Sequence, residues 1–217
     1  DRDGRITATS DGSDGLFYIL SQTGRVGVYN LIVNHLSSDG EQTWGEDLSG
    51  LPLEDLDIFG HNPKITVDGD GGAFVCWKQS TPQNAQSVYG QHITIDGELN
   101  WGEFGTELTM RGDHSLNYQM INSAPREIEI VWSDNETPVF AQRIEASGGQ
   151  PVLLWGEEGE ELEGIRVSEY MEHPYLMSIY SDQKGGLVTT WIERNESGYR
   201  DFRIQRVSVD GEMAWDE

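Results

Sequence analysis

The sequence predicts an all-β protein, a β-propeller-like array of four-stranded antiparallel blades with about four repeats of 54–60 residues. Three observations lead to this fold class. One tryptophan series is Trp44, Trp101, Trp155 and Trp215. A second, earlier in each unit, is Trp77, Trp132 and Trp191, with Leu20 in the first copy. Between the two series, four segments share one frame: "NHLSSDG" (34–40), "QHITIDG" (91–97), "QRIEASG" (142–148) and "QRVSVDG" (205–211).

The second copy shows the expected order of elements. "PKITVD" (63–68) is a short β-branched run that ends at the turn signal "GDGG". "GAFVCWK" (72–78) is apolar and indicates a buried strand, and "SVYGQHITI" (87–95) alternates as a half-buried strand does. Asp96-Gly97 favours a tight hairpin turn. We therefore expect "ELNWG" (98–102) to return as the fourth strand.

The remaining copies follow the same course, which predicts one repeat domain over 1–217 with blades at about 5–54, 62–110, 117–164 and 174–217. The acidic, Gly-broken segment 156–173 is interpreted as a loop between units. Propellers typically have about four to eight blades, so the domain fits a closed ring or part of a larger propeller or protein.

The repeated tryptophans are expected to pack between sheets. A lone four-stranded sheet exposes an apolar face, and stacking neighbours bury it. A sugar-stacking platform is the alternative role for the same side chains. Cys76, the single cysteine, lies in an apolar run and is interpreted as a buried hydrophobe. One cysteine excludes a disulfide within the chain and a thiolate zinc site.

The charge balance is strongly acidic, with 38 acidic against 14 basic residues and a formal net charge of −24. Such a field repels nucleic acid and anionic membranes, because both require neutralisation by Lys and Arg. No apolar run approaches the length of a transmembrane helix. We therefore expect neither nucleic-acid binding nor membrane insertion.

Acidic hairpins precede the inner strands, at "SDGSDG" (10–15), "VDGDGG" (67–72) and "SDQKGG" (181–186). Their candidate calcium ligands are Asp11, Asp14, Asp68 and Asp70, because Ca²⁺ prefers several carboxylate and carbonyl oxygens. The alternative is ordinary turn chemistry, in which an Asp side chain accepts hydrogen bonds from its own turn. Calcium is the only candidate cofactor that the sequence indicates.

Glutamates recur after the outer tryptophans, at Glu46, Glu103 and Glu157. A carboxylate pair across a cleft can hydrolyse glycosides. Recurrence argues against catalysis, because a catalytic pair occurs once whereas a contact between blades repeats. The arginines are scattered and do not form the cluster that a sialidase needs. The sequence therefore predicts no catalytic residues and no enzymatic activity.

The pattern formed by Gly71, Gly72, Trp77, Gln91, Asp96, Gly97 and Trp101 resembles a repeat found in many secreted or surface-exposed bacterial proteins, often from the Bacteroidetes. The resemblance covers 5–217, and its motifs are structural. The first copy departs from it at Leu20 and Asn34, and the third at Ser147. The resemblance implies a propeller-type fold and an extracellular or cell-surface location, and it implies no catalytic residues.

These observations predict a non-enzymatic extracellular module for binding or scaffolding, which contacts protein or glycan through its rim loops. Other blades or chains that complete the propeller are further candidate partners. The alternative is a propeller-type glycoside hydrolase or sialidase-like carbohydrate-active domain. An enzyme should bring unrepeated charged side chains together, whereas a scaffold should present only repeated ones.

Overall fold

A computed structural model describes residues 4–23, 29–45, 50–53, 59–80, 85–109, 116–134, 137–157, 161–169, 174–195 and 197–215. These residues form four antiparallel β-sheets that follow one another along the chain. The only helical element among them is a single 3₁₀ turn, Glu161–Glu163. Accordingly, no helix in this part of the chain is long and apolar enough to span a membrane. The predicted all-β, propeller-like fold is confirmed.

Consecutive strands are neighbours in each sheet, except that the last strand of the third sheet pairs with its third strand. The first sheet contains β1 (Gly4–Ser10), β2 (Leu16–Thr23), β3 (Tyr29–Leu36) and β4 (Leu51–Pro52). The second contains β5 (Phe59–Val67), β6 (Ala73–Ser80), β7 (Gln86–Ile93) and β8 (Thr106–Glu107). The third contains β9 (Asn117–Ala124), β10 (Glu127–Ser133), β11 (Phe140–Ser147), β12 (Gln150–Leu153) and β13 (Ile165–Arg166). The fourth contains β14 (Tyr175–Ser181), β15 (Leu187–Arg194) and β16 (Arg200–Val207).

The fourth strand of the second sheet is not where the sequence predicts it. After the Asp96-Gly97 turn, "ELNWG" makes only a single bridge, Ile93 to Leu99. The strand that completes the sheet is β8, which pairs with Tyr89 and Gly90 of β7. The chain leaves the sheet after the bridge because the Trp101 side chain turns inward to pack against the third sheet.

The described residues of the predicted loop 156–173 are 156–157 and 161–169, and they contain the 3₁₀ turn and β13. The third sheet therefore extends to Arg166, two residues beyond the predicted blade limit at 164. The predicted limits at 54, 110 and 217 lie outside the described residues.

Each pair of consecutive sheets shares a hydrophobic core. The first and second sheets bury Phe17, Ile19, Leu31, Val33, Trp44, Ile65, Val75, Trp77 and Ile93. The second and third bury Phe74, Cys76, Val88, Trp101, Tyr118, Ile128, Ile130 and Trp132. The third and fourth bury Val131, Val139, Ala141, Trp155, Ile179, Leu187, Trp191 and Val207. The first strands of neighbouring sheets also contact each other, β5 with β1, β9 with β5 and β14 with β9.

A buried glutamine holds the backbone of the tryptophan phrase in place. The Gln91 Oε1 accepts hydrogen bonds from the Trp101 and His92 N–H groups at 2.6 and 3.1 Å, and its Nε2 donates to the Gly102 carbonyl at 2.6 Å. Gln142 clamps Trp155 in the same way, and Gln205 clamps Trp215. Because a buried amide must be satisfied, the glutamine and the tryptophan phrase recur together.

Candidate functional site

The Asp residues of the hairpins act within their turns. Asp68 Oδ1 accepts hydrogen bonds from the Asp70 and Gly72 N–H groups, at 2.7 and 2.8 Å. Asp11 Oδ1 accepts from the Ser13 and Gly15 N–H groups, at 2.7 and 2.9 Å. The second carboxylate oxygen of each residue contacts a histidine. Both carboxylates are therefore engaged in the way that ordinary turn chemistry predicts.

The other two candidate calcium ligands lie on the outside of these turns. Asp14 adopts a left-handed backbone conformation with φ of 66°, and Asp70 is exposed. Within the described ranges, no group of three or more His, Cys, Asp and Glu side chains could hold a metal ion. The calcium site at Asp11, Asp14, Asp68 and Asp70 stays a prediction.

In each sheet, an acidic side chain at the first hairpin contacts a histidine or arginine of the third strand, a pairing that sequence reasoning missed. The pairs are Asp11–His35 at 2.8 Å, Asp68–His92 at 2.9 Å, Glu127–Arg143 at 2.5 Å and Asp182–Arg206 at 2.6 Å. The sequence does contain a signal for these pairs. In all four repeats the basic residue directly follows a buried Asn or Gln, namely Asn34, Gln91, Gln142 and Gln205.

These contacts shift the pKa of the hairpin carboxyls. Burial raises the pKa of Asp68, but hydrogen bonds from His92 and from the turn N–H groups outweigh it, and the net pKa lies below the usual value. For Asp11, the hydrogen bond from His35 and the Ser13 N–H lower the pKa. The repeated histidines His35 and His92 therefore stabilise the ionised carboxylates.

An open cleft of about 710 Å³ lies between the third and fourth sheets. Its floor and apolar wall are formed by Pro138, Phe140, Leu154, Trp155 and Ile165, and its polar lining comes from Glu157, Glu163, Arg166 and Asp210. Phe140 stacks on Trp132 with ring centroids 5.8 Å apart, which fixes its orientation. Asp210 is the single lining residue from the fourth sheet's hairpin, so both sheets shape the cleft.

A glycine shapes the segment that carries the polar lining. Gly164 has φ of +62°, and a Cβ there would lie 2.4 Å from the Ala141 carbonyl oxygen and 2.7 Å from Trp132 Cη2. Glycine alone tolerates both constraints. The close approach lets β13 pair with β11, which places Glu163 and Arg166 beside the cleft. Arg166 is held by donating from Nε to the Ser168 carbonyl at 2.7 Å.

The charged groups of this cleft are partly unique to the third repeat. Glu157 follows its tryptophan as Glu103 does in the second repeat, whereas Arg166 corresponds to Glu107 and Pro52 in the other sheets. Glu163 and Arg166 are the unrepeated charged side chains of the cleft, whereas Glu157 and Asp210 occupy positions that recur in other repeats. The search for repeated positions in the sequence could not find the cleft, because the lining comes from two repeats and from the segment interpreted as a loop.

A buried carboxyl lies in the third sheet at the repeat position that Phe17 and Phe74 occupy in the first two. Glu129 is fully buried, and neither of its oxygens has a hydrogen-bond partner among the described residues. Burial raises the pKa of Glu129 to about 8, against the opposing effect of the Arg143 charge. Its side chain is closed off from solvent, so it is not part of the open cleft.

No family model and no curated protein matches the chain. Solved structures that match include prolyl oligopeptidase B from Galerina marginata, with 11% identity and a TM-score of 0.47 over 97% of this chain and 26% of that one. A thermostable family-43 glycoside hydrolase matches with 14% identity and a TM-score of 0.45, over 92% of this chain and 70% of that one. An α-L-arabinofuranosidase from Podospora anserina matches with 13% identity and a TM-score of 0.35, over 98% and 65%.

The chain therefore spans about a quarter of the length of the prolyl oligopeptidase that it matches. These similarities concern the fold and transfer no residue role. The matched structures are of enzymes, which goes against the prediction that the chain is not an enzyme, but with identities of 11–14% and TM-scores below 0.5 they show no activity of this chain. The prediction assumed that every candidate catalytic carboxylate occurs at a repeated position. The cleft between the third and fourth sheets also contains Glu163, which is not at a repeated position.

Proposed function

We propose that this chain is a carbohydrate-active domain that takes a neutral glycan in the cleft between its third and fourth sheets. The observation that carries the proposal is the composition of that cleft, which combines three carboxylates with an apolar wall. Its volume of about 710 Å³ falls within the usual range for small-molecule sites.

The two kinds of lining suit the two kinds of surface on a sugar. Carboxylate oxygens of Glu157, Glu163 and Asp210 accept hydrogen bonds from hydroxyl groups, which are the commonest donors on a carbohydrate. The apolar side chains of Phe140 and Leu154 offer surface for the C–H face of a pyranose ring. Paired carboxylates are also the residue type that most glycoside hydrolases use as acid and base or nucleophile.

The charge of the cleft selects among glycans. It contains three carboxylates and one arginine among its lining residues, and the whole chain has a formal net charge of −24. An anionic sugar would be repelled by both. This favours neutral glycans over the sialic acid considered in the sequence-based alternative.

The proposal is tested by measuring both glycan binding and release of reducing ends over a panel of neutral and anionic oligosaccharides. We expect Glu157→Gln and Glu163→Gln each to lower the hydrolysis rate at least about 100-fold, the size of a lost acid–base contribution. Glu103→Gln is the matched control, because Glu103 follows Trp101 as Glu157 follows Trp155 and is exposed away from the cleft.

Failure to bind or hydrolyse any neutral glycan would refute the proposal. An equal loss of activity in the Glu103→Gln control would place the site elsewhere. Preference for sialylated over neutral oligosaccharides would contradict the argument from charge.

A further inference from the structure

One contact between neighbouring sheets is made by a tryptophan of one sheet and a turn of the next. Trp44 Nε1 donates to the Ile95 carbonyl at 3.0 Å, and Trp155 Nε1 donates to the Val209 carbonyl at 3.1 Å. Ile95 and Val209 occupy the same repeat position, two residues before the glycine of the Asp-Gly turn. We refer to this arrangement as the tryptophan–turn contact.

The turn glycine is required because the indole ring lies directly against it. A Cβ on Gly97 would lie 2.8 Å from Trp44 Cδ1, and one on Gly211 would lie 3.0 Å from Trp155 Cδ1. Both glycines have positive φ, at +84° and +82°. The contact therefore has two halves. The tryptophan lies on the face of its sheet that packs against the next sheet, which we call the leaving face. The glycine turn lies on the face of that next sheet that packs against the preceding one, which we call the receiving face.

The middle interface uses a variant of this contact. Trp101 is buried, but its Nε1 has no hydrogen-bond partner among the described residues. The carbonyl at the corresponding position, that of Ala146, accepts from Arg126 Nε at 3.1 Å instead. The third repeat also departs from the others at this turn, where Ser147 replaces Asp, and here the indole hydrogen bond is absent while the packing of Trp101 remains.

The leaving face of the fourth sheet is uncovered. Trp215 is 43% exposed, whereas Trp44, Trp101 and Trp155 are between 1% and 3% exposed. Beside it on β16, Ile204 is 49% exposed. Its counterpart on β11, Ala141, is fully buried. Gln205 still clamps the Trp215 backbone at 3.0 and 3.2 Å, so the tryptophan half of the contact is assembled.

The receiving face of the first sheet is uncovered as well. Gly40 occupies the position of Gly97 and Gly211 with φ of +77°, and no described atom lies within 4 Å of its Cβ position. Ser38, which stands where Ile95 and Val209 supply their carbonyls, is exposed. On β2, Leu16, Tyr18 and Leu20 are half-buried, while their counterparts Ala73, Val75 and Trp77 are fully buried.

We propose that these two faces bind each other between two copies of the chain, head to tail. Trp215 of one copy packs over Gly40 of the second copy and donates from Nε1 to the Ser38 carbonyl of that copy. The first and fourth sheets carry the two halves of a contact that the chain makes internally, so a second copy offers each face its complement. Two such contacts close a ring of eight sheets with twofold symmetry, because head-to-tail interfaces close when the rotation permits.

The association is measured by sedimentation velocity from about 1 to 100 µM in 0.5 M NaCl, since salt screens the repulsion between two acidic chains. We expect the wild type to sediment as a dimer. Ile204→Asp, on the leaving face, and Ile6→Asp, 70% exposed on the receiving face, should each be monomeric. Val152→Asp is the matched control: Val152 is 41% exposed on β12, and the dimer should persist.

Mixing the two monomeric variants distinguishes head-to-tail binding from symmetric pairing of like faces. The Ile6→Asp chain retains its leaving face, and the Ile204→Asp chain retains its receiving face. The mixture should therefore regain an assembly that neither variant forms alone. Trp215→Phe keeps an aromatic side chain but removes the indole N–H donor at both contacts of the dimer, and it should weaken the association about 5- to 10-fold per contact, the usual effect of one hydrogen bond.

A wild type that stays monomeric at 100 µM would overturn the proposal and would mean that something other than a second copy covers these faces. A dimer that survives Ile204→Asp or Ile6→Asp would exclude this interface. A dimer lost through only one of the two variants would show pairing of like faces and would equally refute head-to-tail binding. Circular dichroism of each variant confirms that the change acts on association and not on folding.

Discussion

A tryptophan side chain in this protein is buried wherever another sheet follows it. Trp44, Trp101 and Trp155 occupy equivalent repeat positions and pack in three successive cores. Trp215 has the same backbone clamp, yet it is 43% exposed. Local sequence thus determines how the residue is held, while its burial depends on the neighbouring sheet.

Alanine substitution measures this difference. We expect Trp44→Ala, Trp101→Ala and Trp155→Ala each to lower the free energy of unfolding by about 3–5 kcal/mol, the usual cost of emptying a large aromatic core site. Trp215→Ala should cost less than about 1 kcal/mol, because the side chain is already largely in solvent. Urea unfolding of the four variants in the Ile204→Asp background, which removes the proposed association, decides the matter. An equal loss of unfolding free energy in all four variants would show that the Trp215 side chain contributes to folding as much as the three buried tryptophans.

Glu129 makes the stability of the third sheet dependent on pH. Burial raises its pKa from 4.5 to about 8, so the folded state favours the protonated acid. Below pH 4.5 the carboxyl is protonated in both states, and the penalty is absent. Between pH 4.5 and 8 only the unfolded chain ionises, and folding is progressively disfavoured. The penalty reaches several kcal/mol at about 1.4 kcal/mol per pKa unit.

Glu129→Gln should therefore stabilise the protein relative to the wild type at pH 8.5 and have much less effect at pH 4.5. The quantity to measure is the difference in unfolding free energy between the two proteins across this range. Glu103→Gln, a change at an exposed glutamate, controls for the general loss of one negative charge. A difference that does not vary with pH would show that Glu129 ionises at its ordinary pKa.

At the scale of the element, each acidic hairpin is tied to its sheet by a contact between a carboxylate and a histidine or arginine of the third strand. Asp68 bonds two turn N–H groups through one oxygen and His92 through the other. Its pKa lies below the usual aspartate value of 3.8. The stabilisation that it provides is therefore present above about pH 3.8 and is lost as the pH falls through the lowered pKa of the folded state.

Asp68→Asn retains an acceptor for the turn but removes the charge opposite His92. We expect it to cost about 1–3 kcal/mol at pH 7, the range for a hydrogen bond to a charged group. The cost should be smaller at acid pH than at pH 7, because the wild-type Asp68 also becomes protonated once the pH falls through its lowered pKa. Asp70→Asn is the control, since Asp70 is the exposed neighbour in the same turn. A cost that is equal at both pH values would contradict the role of ionised Asp68.

Strand order and the core tryptophans could be predicted from the sequence, because both follow from the repeat of 54–60 residues in the amino-acid sequence. The strands β6 and β7 fall close to the predicted runs, since alternation and turn signals are local. The completing strand β8 could not be predicted, because it is two residues long and its pairing with Tyr89 and Gly90 is not local. The cleft was missed for the same reason, since Asp210 and Arg166 meet across two repeats.

For the whole molecule, the excess of negative charge opposes compaction. A formal net charge of −24 on 217 residues generates self-repulsion that is largest in the folded state, where the charges are closest. This net charge already includes the arginines that pair with Glu127 and Asp182, so these pairs do not reduce it. The stability of the four-sheet array should therefore depend on ionic strength.

Raising NaCl from 10 to 500 mM at pH 7 should raise the melting temperature by several degrees, because the Debye length falls from about 30 Å to about 4 Å over this range. Choline chloride at the same ionic strength should have the same effect, since screening does not require a particular cation. A fall in melting temperature with salt would show that attractive pairs outweigh the net repulsion.

Measurement of the melting temperature also tests calcium binding at Asp11, Asp14, Asp68 and Asp70. CaCl₂ and MgCl₂ at matched ionic strength should raise the melting temperature equally if the ions act only by screening. We expect this equality, because one oxygen of Asp11 and of Asp68 binds turn N–H groups and the other binds a histidine. A further rise that depends on Ca²⁺ concentration and is absent with Mg²⁺ would show a specific site, because a ligand that binds only the folded state stabilises it by mass action. Loss of that rise in Asp14→Asn or Asp70→Asn would then assign the site to these hairpins.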